Sequence, residues 1–420
     1  MAKSFYSEVM ITEPKSCSYK KTNIHIIANS SALDKKSAAL SGGDRIYIEF
    51  ARRWARRGYQ ITIYLWEEGL IMCRDIYNLK EVNFHLWSAK IVQGIPFAVG
   101  YVYRIFSGIV NALKLKFSED AIVYSSSDFW QDSIPAMILK LKNKNVKWIA
   151  GFYLFAPKPW QQDSPYKGRR FIIGLFYYLS QLPVYWIAKR YADMVFVTSE
   201  LDVEKFITKK RGRNKIAVIR GGVDTGPSTE YLSSDNVTPI SGRKYDACFV
   251  GRFHYQKGVL ELIDIWKLIC QRKPNAKLAM IGVGSLESEV KNRITELRLN
   301  YNIDLLGFKD GEEKYEVFKQ SKIVVHPAIY DSGGMAACEA MAWGLPAVSF
   351  DLGALKTYYP RGMLKTSCFD LDEFAKNVLR LLKDNGLYQR TSKNAISWAR
   401  EWDWDKRAED ILQQVRTICL

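Results

Sequence analysis

The stretch HPAIYDSGGMAACEAMAWGLPAV, residues 326–348, carries two carboxylates eight positions apart, Asp331 and Glu339, with a glycine pair between them. IVVHPAIY reads as an apolar strand, DSGG as a tight turn and MAACEAMAW as a short helix that Gly344 and Pro346 bring to an end. A helix that starts straight after such a turn leaves backbone N–H groups aimed outward, where an anion can settle. Asp331 falls at the mouth of that nest and Glu339 two turns into the helix, one face turned to the same space. An ordinary crossover helix with one solvated glutamate would look the same, so the rest of the chain has to decide.

Three more glycine turns fall at strand ends. GRFHYQKG (251–258) offers Gly251, Arg252 and Lys257. An arginine fork and a lysine point charge at that position suit a diphosphate. Two surface cations near a helix start are the plainer alternative. SGGDR (41–45) contributes Gly42 and Gly43, whose lack of a Cβ lets backbone come close to a phosphate or a sugar. IGVGS (281–285) contributes Gly282 and Gly284 in the same way. Each turn alone is weak.

The elements that would position these residues alternate between strand and helix. NIHIIAN, YQITIYLW, AIVYSSS, VKWIAGFYLF and DMVFVTS are strands of the first half, with GGDRIYIEFARRWARRG and SIPAMILKLKN as helices. YDACFVGR, KLAMIGVGS, IDLLGF, IVVHPA and PAVSFD repeat the rhythm in the second half. That pattern predicts two α/β, doubly wound, mostly parallel sheets with ligands bound beyond the carboxyl ends of the strands. Residues 221–246, rich in Gly, Ser, Thr and Pro, read as a linker. We expect a first domain over 1–222, a second over 223–396, and a tail over 397–420 read as one amphipathic helix with Trp398, Trp402 and Trp404.

With 420 residues, 48% of them hydrophobic and 25% charged, the chain has material for two or three ordinary domains, each with its own core. Its seven cysteines form no CxxC pair and its four histidines no metal spacing, which points to a reducing compartment without structural disulfides or zinc. The first residues are polar and mixed, so no secretory leader is read there. Net charge is +17 and uneven: residues 1–230 hold 34 Lys and Arg against 20 Asp and Glu, and residues 231–420 hold 27 against 24. A basic first half calls for an anionic partner. Nucleic acid is set aside, for no recognition helix, finger or RNA-binding signature is present. An anionic membrane surface remains. FIIGLFYYLSQLPVYWIA (171–188) and IVQGIPFAVGYVYRIFSGIV (91–110) are apolar, yet broken by Gln181 and Pro183 or by Arg104. Buried core is the leading reading of each, with interfacial docking on a membrane as the other.

In order and spacing, GGDRIYIEFARRWARRGYQITIY, IRGGVD, FVGRFHYQKGVLELI, MIGVGS, IDLLGF, DSGGMAACEAMAWGLPAV and WDWDKRAEDIL resemble the retaining glycosyltransferases of the GT-B fold, group 1 (family 4). The resemblance spans nearly the whole chain and is densest over 220–346. It implies two Rossmann-like domains facing each other across a cleft, with the terminal helix crossing back. It also implies transfer of a sugar from a nucleoside-diphosphate sugar, uridine ahead of guanosine, to a lipid-linked or cell-surface glycan acceptor. The enzyme would be cytoplasmic, peripheral to the inner membrane face, and would need neither cofactor nor metal.

On that resemblance Glu339 receives the ribose hydroxyls, Asp331 the sugar hydroxyls, and N–H groups around Ser332, Gly333, Gly334 and Met335 the sugar and phosphate. Arg252 and Lys257 neutralise the departing diphosphate, so the implied catalytic set is Asp331, Arg252 and Lys257. Gly42, Gly43, Gly251, Gly282, Gly284 and Phe308 complete the donor side. The family's pair consists of two glutamates, whereas here the first is Asp331. Relatives carry a histidine where Phe152 and Tyr153 stand, with no nearby histidine in its stead, which leaves Tyr153 as the acceptor-side candidate. A catalytically silent relative that binds nucleotide or glycan as a scaffold stays open beside this reading, while the lack of histidines and the Asp331–Glu339 spacing argue against an epimerase or phosphorylase on the same architecture.

Overall fold

The computed structural model describes residues 23–31, 41–88, 97–117, 121–161, 164–331 and 333–418. Thirteen short strands appear among them. β1 (Asn23–Ile27), β2 (Gln60–Trp66), β3 (Asn83–Ser88), β4 (Ile122–Ser125), β5 (Lys147–Gly151), β6 (Met194–Val197) and β7 (Ile216–Val218) form one parallel sheet in the order β3-β2-β1-β4-β5-β6-β7. β8 (Tyr245–Val250), β9 (Leu278–Ile281), β10 (Ile303–Leu305), β11 (Ser321–His326), β12 (Ala347–Phe350) and β13 (Met363–Thr366) form the other, in the order β10-β9-β8-β11-β12-β13. Strands such as MVFV and LAMI are buried along their whole length, as strands covered by helices on both faces must be. This is the two-domain GT-B architecture.

Order reverses between β1 and β4 in the first sheet, and between β8 and β11 in the second. The loops leaving neighbouring strands diverge at such a point and open a crevice. Register holds the two central pairs: Ile24 lies beside Ile122, and Ile323 beside Ala247.

The helix Gly42–Arg56 and the closing helix Trp404–Arg416 pack together on one face of the first sheet. There Trp54, Phe50, Ile411, Leu412 and Val415 share a core, and Trp54 Nε1 donates to the Ala408 carbonyl at 3.0 Å. Burying a Leu or an Ile there contributes roughly 1.5–3 kcal/mol.

Three expectations need correction. The tail is not one helix. Asn385–Arg400 ends, Val223 N–H bonds to the Trp402 carbonyl, and Asp403 then caps a new helix through the N–H groups of Asp405 and Lys406. The stretch read as a linker holds a helix of its own, Gly226–Leu232. Neither apolar stretch is buried core. Phe171–Tyr191 covers only Gly174, Gln181, Val184 and Ala188 fully, and Phe97–Lys114 likewise leaves an apolar side in solvent. Residues 91–96 of that second stretch lie outside the described residues.

Candidate active site

Between the sheets lies a cavity of about 410 Å³, lined by the loops that follow β1, β4, β8 and β11. Its first-domain wall begins at Ser41, whose hydroxyl accepts the Asp44 N–H and caps the helix behind it. Gly42 and Gly43 follow at the cavity surface. A Cβ on Gly42 would stand 3.3 Å from Met335 Cε, so the two glycine turns meet across the domain gap.

On the second domain, β8 runs into Gly251 and Arg252, and β11 runs into the turn that carries Asp331. Lys257 Nζ lies 2.5 Å from Asp331 Oδ2, and His326 Nε2 lies 3.1 Å from the same oxygen. The other oxygen accepts the N–H groups of Gly333 and Gly334 at 3.4 and 3.5 Å. Burial alone would push the Asp331 carboxyl up. Lys257 and His326 outweigh it and hold the group well below the ordinary carboxylate range. Asp331 is an anion here. Arg252 stands beside this cluster, exposed, and makes no salt bridge among the described residues.

Glu339 sits deeper, in a charged quartet. Arg45 Nη1 approaches one of its oxygens at 2.9 Å and Lys314 Nζ the other at 2.9 Å, while Lys314 also reaches Asp310 at 2.7 Å. Burial raises the Glu339 pKa, but Lys314 and Arg45 more than offset it and keep the carboxylate ionised. Arg45 comes from the first domain and the other three residues from the second, so the quartet spans the gap.

Gly42, Gly43, Tyr153, Gly251, Arg252, Lys257, Gly282, Phe308, Asp331, Gly333, Gly334, Met335 and Glu339 all line this cavity. Gly284 does not. A Cβ there would fall 2.5 Å from the Phe253 carbonyl oxygen, so its smallness serves packing against the loop after β8. Ser332 lies outside the described residues. Tyr153 contributes a buried ring whose hydroxyl is engaged by Tyr124. The expectation that no histidine stands near needs amending, because β11 of the second domain places His326 beside Asp331, in the same cavity that Tyr153 lines from the first domain.

Sequence reasoning gave no role to Arg45, Lys314, Asp310 or His326. Arg45 closes the quoted SGGDR turn, three residues after the helix start, and His326 opens the quoted stretch. Lys314 carried no signal: GEEKYEVFK reads as a surface helix, yet the Lys314 side chain is 5% exposed. No group of three or more His, Cys, Asp and Glu side chains able to hold a metal ion occurs among the described residues.

Residues 233–398 match the model of the family "Glycosyl transferases group 1". An uncharacterized glycosyltransferase of Methanocaldococcus jannaschii is 32% identical over 165 residues, 39% of this chain and 42% of that protein. The mannosylfructose-phosphate synthase of Agrobacterium fabrum is 24% identical over 404 residues, 90% of this chain and 87% of its own. Among solved structures, Anabaena HepE in complex with UDP and glucose superposes with a TM-score of 0.68 at 15% identity, covering 94% of this chain and 99% of that one. The family match thus falls within the second domain, and the likeness to HepE shows the two-domain fold.

Proposed function

We propose that the protein is a retaining glycosyltransferase that moves a sugar from a nucleoside-diphosphate sugar, with UDP ranked ahead of GDP, to a lipid-linked or cell-surface glycan acceptor. The observation that carries this is one cavity lined by Arg252 and the Lys257–Asp331 cluster at the strand ends of one domain, faced by the Gly42–Gly43 turn of the other. HepE, which shares the fold, was solved with UDP and glucose.

A diphosphate would lie between Arg252 and Lys257, with its ribose towards Glu339. Negative charge grows on the diphosphate as the anomeric bond breaks. Fixed cations at that place lower the barrier because they need no reorganisation. Asp331, kept ionised, would accept hydrogen bonds from the sugar hydroxyls and favour the positive charge that develops at the anomeric carbon. The acceptor hydroxyl would attack from the face the diphosphate leaves, and a diphosphate oxygen would take its proton. The reading invokes neither metal nor cofactor.

A thermal-shift panel with UDP, GDP, ADP and TDP on the wild type and on Arg252→Ala tests the donor side. A nucleotide at about 100 times its Kd adds roughly 2.7 kcal/mol of stability. One nucleotide should stabilise the wild type and far less the variant, and sugar transfer from the matching donor should follow. If no nucleotide shifts the wild type, the reading fails and the scaffold alternative replaces it.

A further inference from the structure

The side of the first domain remote from the terminal helix is paved by three helices, Phe97–Lys114, Trp130–Lys142 and Phe171–Tyr191, the middle one packed on both others. On the first, Val99, Val102, Phe106, Val110 and Leu113 are exposed, with Phe106 at 63%. They recur every three or four residues and so form one stripe along the helix. On the last, Ile172, Phe176, Leu179 and Trp186 repeat the arrangement, at 77%, 76%, 52% and 62% exposure. Exposed apolar area of this extent marks a surface that something covers.

Charge says what covers it. Neither striped helix contains an Asp or a Glu. Lys114, Lys116, Lys167 and Arg169 stand at the helix ends, exposed and without a salt bridge among the described residues. Apolar side chains edged by free cations match the acyl and headgroup layers of an anionic bilayer.

Lying on the membrane and crossing it can be told apart here. Gly168–Tyr191 is long and apolar enough to cross a membrane by length and composition. The helix is nevertheless tied into the domain through Gln181. That side chain accepts the Ala156 N–H at 2.7 Å and donates to Asp128 at 2.7 Å and to the Leu154 carbonyl at 2.8 Å. Leaving the domain would orphan all three.

We propose that this face rests in the interface of an anionic lipid bilayer, with both striped helices parallel to the membrane plane. Tyr177, on the inner side of the same helix that exposes Phe176, lines the cavity. The cleft therefore opens one helix thickness from the lipid, where an acceptor anchored in the bilayer can reach it. That last clause rests on the glycosyl-transfer reading, while the docking itself does not.

Co-sedimentation with vesicles of phosphatidylcholine, with and without phosphatidylglycerol, tests the docking. The wild type should bind the vesicles that contain phosphatidylglycerol and release partly as salt is raised, with weak binding to phosphatidylcholine alone. Ile172→Glu/Phe176→Glu should lower partitioning about tenfold or more, and Lys167→Glu/Arg169→Glu should remove most of the salt dependence. Both variants change exposed side chains, so their melting temperatures and nucleotide shifts should match the wild type. Equal binding of wild type and the Ile172→Glu/Phe176→Glu variant would overturn the proposal. So would a wild type that ignores the anionic vesicles and instead forms a dimer which that variant dissociates. Vesicle binding without any nucleotide shift would leave the docking standing and remove the transferase reading; a nucleotide shift without vesicle binding would do the reverse.

Discussion

Arg45 and Glu339 meet across the domain gap at 2.9 Å, while Lys314 holds the second Glu339 oxygen at the same distance. The pair is an interdomain latch built on the carboxylate assigned to the ribose. Truncating one partner of a half-buried pair leaves the other charge poorly compensated. Arg45→Ala is therefore expected to cost roughly 1–3 kcal/mol of stability in urea denaturation and to weaken nucleotide binding about tenfold. Because the two residues act together, Arg45→Ala/Glu339→Gln should cost less than the sum of the single changes.

Arg252 and Lys257 share a turn but not a task. Arg252 makes no salt bridge among the described residues, so Arg252→Ala should remove a charge-assisted contact to the donor alone. A tenfold to hundredfold rise in nucleotide Kd by calorimetry, with the melting temperature of the free protein unchanged, is the expected result.

Lys257→Ala should alter the pH profile instead. In the wild type Lys257 and His326 hold the Asp331 carboxyl low against burial, so it stays ionised across the working range. Without the lysine the upward push of burial is less opposed, and Asp331 takes up a proton as pH falls. Activity of the variant should then decline on the acid side where the wild type remains flat, and recover as pH rises. A profile parallel to the wild type would remove Asp331 from the chemistry.

Stability carries a second pH signal, from Asp132. Its carboxylate is buried among Ser30, Ser126 and Ser127, and burial pushes its pKa up to about 6 in spite of those hydrogen bonds. The folded state thus binds the proton more readily than the unfolded chain, whose Asp titrates near about 4. Stability from this group is fully present below about pH 4 and is lost as pH rises through about 6. Asp132→Asn should flatten that slope in denaturant melts at a series of pH values.

Two glycines separate conformational need from steric need. Gly282 has φ +146°, and a Cβ there would stand 1.9 Å from the Gly251 carbonyl oxygen, whereas Gly307 has φ +68° with open space around it. Gly307→Ala should cost about 1–2 kcal/mol from the left-handed backbone alone. Gly282→Ala should cost more than about 3 kcal/mol or prevent folding, because backbone must move as well. Urea melts of the two variants, side by side, decide it.

The fold was legible because the glycine turns recur at strand ends, and each turn announces where a strand stops and a helix starts. The Asp331 and Glu339 spacing was legible for the same local reason. The cations on Glu339 were not. Lys314 belongs to a helix whose charges look solvated until the fold brings Glu339 beside it, and Arg45 is charged on a helix already rich in arginine. Pairing between residues far apart in the chain, across the domain gap for Arg45 and within the second domain for Lys314, leaves no local pattern to read. The 171–188 segment shows the opposite failure. Apolar composition says that a helix avoids water, and only the neighbouring layer decides which side it can hide.

The closing helix has a consequence for the birth of the chain. Trp54 is sealed by Ala408 and by the Ile411, Leu412 and Val415 side chains, a hydrogen bond that joins residues 354 positions apart. At about 5–20 residues per second, a ribosome delivers those partners roughly 20–70 s after Trp54 has emerged. Through that interval the nascent first domain holds an incomplete core, so its maturation waits until residues 404–416 have been made.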